Sequence, residues 1–214
     1  MPIITKIEKS GSRHPRARVY LDGRYAFSVE LETAVSLKTE QVLSAAEIDK
    51  LARDDERRRA LETAHRALAG RPHSRREISQ RLARKHFGQQ AIEFAIAELT
   101  ARGLLDDAEF ARFWRDNREA FRPRSHTLIN QELRRLGVAA EVAVAATSDI
   151  DDEAGALAAG QKKARLLSGA DYDTFSRRLG DYLKRRGYNY EIIHKTIDAL
   201  WKAKNSNQSP SIDN

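Results

Sequence analysis

The chain has 214 residues, 41% of them hydrophobic but only 7% aromatic, and it contains no cysteine. Disulfides, thiolate metal sites and thiol nucleophiles are thereby excluded, and no run approaches the 18 consecutive apolar residues of a membrane span. A formal net charge of +7 on a chain so poor in aromatics points to a basic, soluble protein built from several thin helical layers rather than one large core. The N-terminus lacks the basic-then-apolar run of a signal peptide, so the expected location is the cytoplasm, with no membrane contact.

Residues 1–50 read as a small β-rich domain. Arg18–Leu21 and Arg24–Val29 alternate around Asp22-Gly23, a strong hairpin signal. Val19 and Leu21 share a face before the turn, and Tyr25, Phe27 and Val29 alternate after it, while Ile3, Ile4 and Ile7 supply a third strand. So small a sheet needs a helical cover. Segments around Glu30–Ser36 and from Ser44 onward provide it, and Ser44-Ala-Ala-Glu47 has the form of a capping box.

Beyond residue 51 the pattern becomes helical and repeats. Ile78 and Leu82, Ile129 and Leu133, and Leu179 and Leu183 are pairs four apart, displaced by 51 and then 50. Four residues after each second leucine stands His86, Gly137 or Gly187, followed by Phe87, Val138 or Tyr188. The next helix carries Ile92, Ile96 and Leu99 in the first unit and Ile193, Ile197 and Leu200 in the last. The middle unit matches poorly there, with Val142, Val144 and Ile150 in an alanine-rich run. Arg71-Pro-His-Ser74 and Arg122-Pro-Arg-Ser125 mark turns into the second helix, Ser74-Arg-Arg-Glu77 has the capping-box form, and Gly103 suits a left-handed helix stop with Leu104 packing behind it. The expectation is a mainly α fold: three-helix, helix-turn-helix-like repeats at 51–105, 106–150 and 151–202, forming an elongated, curved rod. Residues 203–214 read as a disordered tail.

Nothing in the chain reads as a catalytic constellation, a cofactor loop or a metal site. The six histidines, at 14, 65, 73, 86, 126 and 194, show no ligand spacing, and no glycine-rich loop follows a strand. Asp106, Asp107 and Glu109 stand at a helix start, where capping accounts for them better than metal binding; Asp149, Asp151, Asp152 and Glu153 read as a helix start or solvated linker. We therefore expect a non-enzyme with no cofactor.

The basic residues are more informative. Within 51–150 every one is arginine except Lys85, and arginine's planar fork suits phosphates and carboxylates. A codon preference for arginine would give the same composition. Some of the arginines, however, follow the repeat. Arg84, Arg135 and Arg185 each stand two residues after the second leucine, flanked by Lys85, by Arg134, and by Lys184 and Arg186. Cations there complement the helix dipole, yet three clusters in one frame also form the footprint of a nucleic acid or an acidic groove. Arg75, Arg76 and Arg81 join this candidate surface, as do Arg112, Arg115, Arg118, Arg122 and Arg124 around the middle unit's first helix. Trp114 and Trp201 lie beside apolar helix positions and read as packing residues.

The stretch Ser74-Arg-Arg-Glu-Ile-Ser-Gln-Arg-Leu-Ala-Arg-Lys-His-Phe87, leading through Ile92–Leu99 to Arg102-Gly-Leu-Leu-Asp-Asp-Ala-Glu-Phe-Ala-Arg-Phe-Trp114, resembles the RecX family. Gly103–Ala111 followed by Arg118 is the most specific part, and the likeness spans roughly residues 55–202. The alanine-rich middle helix and the absence of an Arg-Pro-x-Ser turn in the last unit depart from the pattern, and the first 50 residues lie outside it. The resemblance implies a regulator of the RecA recombinase in homologous recombination, DNA repair and the SOS response. It would be a curved rod lying in the groove of the recombinase–DNA filament and limiting filament extension, strand exchange and ATP hydrolysis; a monomer is expected. Single-stranded DNA is the implied nucleic-acid partner, with double-stranded DNA left open. A second reading is a winged-helix-like, sequence-specific DNA-binding protein, and a third is a scaffold that binds proteins alone.

Overall fold

In a computed structural model, which describes residues 1–10 and 16–206, the chain is mainly helical with one small sheet. His14 and residues 207–214 of the expected tail lie outside the described residues. Two compact units are distinguished. One holds Met1–Arg71 and Glu77–Leu105, the other Pro72–Arg76 and the chain from Asp106 onward.

In the first unit, β1 (Ile4–Ser10), β2 (Arg16–Leu21) and β3 (Arg24–Glu30) form an antiparallel sheet in that order. Asp22 and Gly23 take φ values of 48° and 81°, the left-handed pair that a two-residue hairpin turn demands. Ile4, Ala17, Val19, Phe27 and Val29 are buried beneath α1 (Leu31–Val35), Leu43 and the start of α2 (Ala45–Leu68). Tyr25 does not join them, although it shares parity with Phe27 and Val29. Val19 pairs with Phe27 but Tyr20 pairs with Tyr25, so one extra residue bulges from β3 and Tyr25 turns outward, 58% exposed. The Ser44–Glu47 capping box is formed, with both reciprocal hydrogen bonds present. Arg16 then ties the sheet to α2, its Nη2 lying 2.7 and 2.8 Å from the two carboxylate oxygens of Asp55.

α2 runs unbroken from Ala45 to Leu68 because it serves two cores. Ile48 and Leu51 pack on the sheet, whereas Ala60, Ala64 and Ala67 pack against α3 (Arg75–Ala83) and α4 (Gln89–Ala101). Behind Gly103 the buried residue is Leu105 rather than Leu104, which is 48% exposed.

The second unit contains α5 (Asp107–Phe121), α6 (His126–Arg135) and α7 (Ala140–Thr147), then α8 (Asp152–Arg165), α9 (Tyr172–Lys184) and α10 (Tyr190–Ser206). The middle repeat keeps the frame of the others with different residues. Where Ile92 and Ile96 stand in α4, and Ile193 and Ile197 in α10, α7 has Ala143 and Thr147. The lost volume returns on the first helix: α5 contributes Phe110 and Trp114, while α2 and α8 contribute Ala60 and Ala64, and Ala156, Ala159 and Gly160. Large and small have exchanged sides, so the core can stay filled at native density. Ala203–Ser206, expected to be disordered, continue α10. Lys204 donates to the Ala170 carbonyl at 2.6 Å and lies over the Trp201 ring, which holds this turn in place.

Each second helix ends in the same way. The N–H of Phe87, Val138 or Tyr188 donates to the carbonyl of Leu82, Leu133 or Leu183, across a residue with φ of 61° (His86), 92° (Gly137) or 85° (Gly187). In the second unit the two glycines are also packed against. A Cβ on Gly137 would lie 2.4 Å from Arg76 Cβ, and one on Gly187 would lie 2.5 Å from Ser125 Oγ.

These stops give opposite expectations for two substitutions. Gly137→Ala, strained in φ and in collision with Arg76, should lower unfolding free energy by about 2–3 kcal/mol. His86→Gly relieves a side chain held at positive φ and should raise it by about 0.5–1 kcal/mol. Urea denaturation of both variants checks the signs.

Candidate nucleic-acid interface

The turn into a second helix is also a docking point within the second unit. Ser74 Oγ donates to the Leu136 carbonyl at 2.6 Å, and the Arg75 amide donates to Asp107 Oδ1 at 2.8 Å. One repeat further on, the Ser125 amide donates to the Arg186 carbonyl at 2.9 Å and the His126 amide to Asp152 Oδ1 at 2.7 Å. Serine, left-handed residue and aspartate thus form a recurring junction. Four of the acidic positions are accounted for here. Asp106 and Asp151 cap their own helices, and Asp107 and Asp152 cap the neighbouring one. Among the described residues no group of three or more histidine, aspartate or glutamate side chains is placed to hold a metal ion.

Against this scaffold the basic candidates divide in two. Arg75, Arg76, Arg81, Arg84, Lys85, Arg112, Arg122, Arg134, Arg135, Lys184 and Arg185 are exposed. Arg84, Arg135 and Arg185 stand at the end of a second helix, Arg135 as its last residue and the other two just after it, where they complement the helix dipole and are exposed. Arg76 keeps its head in solvent while its stem covers Gly137.

Arg115, Arg118 and Arg124 are instead engaged internally. Arg115 meets Asp116, Glu119 and Asp149, and its Nη1 also approaches the Ala146 carbonyl, tying α5 to the end of α7. The hydrogen bond to Asp116, ahead of the field of Asp149, raises its already high pKa. Glu132, with its side chain 11% exposed, accepts from Trp114 Nε1 at 2.9 Å, from Arg118 Nε at 2.8 Å and from Arg124 Nη1. Arg118 also lies 4.3 Å above the Trp114 ring, and Arg186 lies 4.0 Å above that of Tyr182. Trp114 and Trp201 pack into their repeats as the sequence suggested.

Two features were not anticipated. Glu132 is the hub of the middle repeat, and a lone glutamate on an amphipathic helix carries no sequence signal for that role. The first unit also has a groove of about 530 Å³ that brings Lys85 together with Arg16, Arg59, Arg66, Phe87 and the acidic Glu30, Glu32 and Glu62.

Tandem three-helix repeats define the class: a helical-repeat protein with exposed arginines at its helix stops. Residues 60–99 match the family model for the first three-helix domain of RecX, and residues 151–197 match that for its third. "Regulatory protein RecX" of Prosthecochloris aestuarii is 35% identical over 147 residues, covering 69% of this chain and 97% of its own length. The protein of that name from Chlorobium phaeobacteroides is 31% identical over 70% of this chain and 99% of its own. The chain belongs to the RecX family. The corresponding Bacillus pumilus protein aligns over 94% of this chain at 27% identity and covers 78% of its own length, so the likeness extends beyond residues 55–202 into the N-terminal part. A crystal structure of a regulatory protein RecX shares the fold, with a TM-score of 0.66 at 20% identity over 92% of this chain and all of its own. Among the described residues no helix is long and apolar enough to cross a membrane.

Glu132 gives a direct test of the hub. Glu132→Gln weakens the acceptor for two guanidiniums and an indole, which should cost about 2–3 kcal/mol. Trp114 should gain solvent exposure, visible as a red shift in emission. An unchanged melting midpoint and an unshifted emission maximum would show that the hub is dispensable.

Proposed function

We propose that the protein is a non-enzymatic regulator of a RecA-type recombinase. In this reading it binds the recombinase–DNA filament and inhibits filament extension, strand exchange and the coupled ATP hydrolysis. Membership of the RecX family carries the proposal, since the relatives are named regulatory proteins. The basic residues support it physically. Arg84, Arg135 and Arg185 recur in one frame on successive repeats, so a polymeric partner with its own regular spacing can be held at several weak points at once. DNA, single-stranded or duplex, is the polyanion such arginines suit. The three repeats are the bodies expected to act, within 51–105, 106–150 and 151–202, and the protein is expected to work as a monomer in the cytoplasm.

The winged-helix alternative gains no support. The chain after Leu105, where a wing hairpin would start, enters α5 directly.

Titrating the protein into a single-strand-dependent ATPase assay of the cognate recombinase should suppress hydrolysis at or below stoichiometric ratios. No effect at stoichiometry would sink the proposal. Arg84→Glu/Arg135→Glu/Arg185→Glu should weaken filament and DNA binding by tenfold or more at moderate salt, with the fold retained and the melting temperature lowered by the loss of three helix-dipole contributions of about 0.3–1 kcal/mol each. Unaltered binding by that variant would favour the protein-only scaffold.

A further inference from the structure

Four arginines meet at the junction between α6 and the end of α9. Pro123 disfavours helical backbone at Arg122, which ends α5 with φ and ψ of −145° and 71°. The chain then turns so that Arg124 reaches Glu132, which also holds Arg118. The Ser125 amide bond to the Arg186 carbonyl brings Arg186 to the same place. Burial, and then repulsion from Arg118, Arg186 and Arg122, lowers the Arg124 pKa from its usual value, so Arg124 lies within the field of the other three. Glu132 is the carboxylate bonded to this group among the described residues. Arg122 has no ion-pair partner there, and Arg186 Nε is buried with no hydrogen-bond partner. Four cations share one bonded carboxylate, and a buried unpaired donor costs about 1–3 kcal/mol.

The fold does not require this arrangement. At the preceding junction the same serine, left-handed residue and aspartate dock alike. There His73 stands for Arg124, Leu136 for Arg186 and Arg81 for Glu132. Arg71, in the place of Arg122, forms a two-point pair with Glu77, at 2.8 and 3.1 Å. The arginine cluster is therefore an addition to a junction that forms without it.

We propose that Arg118, Arg122, Arg124 and Arg186, gathered on Glu132, bind successive phosphodiester groups of a nucleic-acid strand without reading its bases. The proposal rests on the nucleic-acid part of the function proposed above and localises it. Guanidinium forks match phosphate oxygens, and a strand brings one anion per nucleotide to a group of cations that bonds a single carboxylate. A single protein carboxylate would neutralise only one of them. Base stacking is not offered, because the Trp114 and Tyr182 faces are already covered by Arg118 and Arg186.

The test uses the full chain, without recombinase, and a fluorescein-labelled 30-nucleotide oligothymidylate, followed by anisotropy over a salt series. Arg122→Gln/Arg186→Gln should lower affinity roughly tenfold and flatten the slope of log K against log salt by about 1.4, or about 0.7 per lost phosphate contact. Circular dichroism melting checks the fold. If the double variant is unstable, Arg122→Gln alone, at an exposed side chain, should still flatten the slope by about 0.7. An unchanged slope in a folded variant overturns the proposal. So does an unchanged slope accompanied by lost filament binding, which would assign the cluster to an acidic protein surface. A flattened slope in a protein that leaves recombinase ATPase untouched would sink the regulatory reading and keep this site.

Discussion

The bond from the amide of Phe87, Val138 or Tyr188 back to the carbonyl of a buried leucine is the constraint on which the rest of the structure depends. It stops each second helix at, or one residue before, the arginines at 84, 135 and 185. It also turns the chain at once into the third helix. In the second unit it leaves a bare α-carbon at Gly137 and Gly187, and the adjoining carbonyls of Leu136 and Arg186 accept from Ser74 and Ser125. One backbone motif therefore ends the helix, displays its basic last turn and provides the docking surface of the junction.

Within each repeat the core obeys a volume rule rather than a residue rule. First and third helices share one interior, and bulk can stand on either side. The outer repeats pair small first-helix residues with isoleucine and leucine on the third, whereas the middle repeat pairs Phe110 and Trp114 with Ala143, Ala146 and Thr147. Burial of a large apolar side chain contributes about 1.5–3 kcal/mol wherever it is anchored. The exchange is thus tolerated, and it frees one edge of Trp114 to bond Glu132.

Arginine does two different jobs in this protein. At 115, 118 and 124 it closes internal networks with Asp149 and Glu132, and its flat face covers Trp114. At 84, 112, 122, 135 and 185 it is exposed, and Arg84 Nε donates to the Gln80 carbonyl. The Glu132 hub joins the two, because the carboxylate that stabilises the middle repeat also concentrates more positive charge than it cancels.

The sequence by itself determined whatever is local or periodic. The Asp22-Gly23 hairpin, the Ser44 cap, the leucine pairs at steps of 51 and 50, and the Gly103 stop all follow from backbone sterics and helical spacing, which need no distant partner. Only the tertiary structure decided what depends on residues far apart in the chain. The bulge that turns Tyr25 outward, the exchange of bulk that keeps α7 in frame, and the lysine contacts that extend α10 to Ser206 are of this kind. So is the division of the arginines, because each guanidinium pairs or stays open according to whether folding brings a carboxylate within hydrogen-bond reach. That proximity is fixed by how helices pack, and neighbouring letters in the chain do not record it.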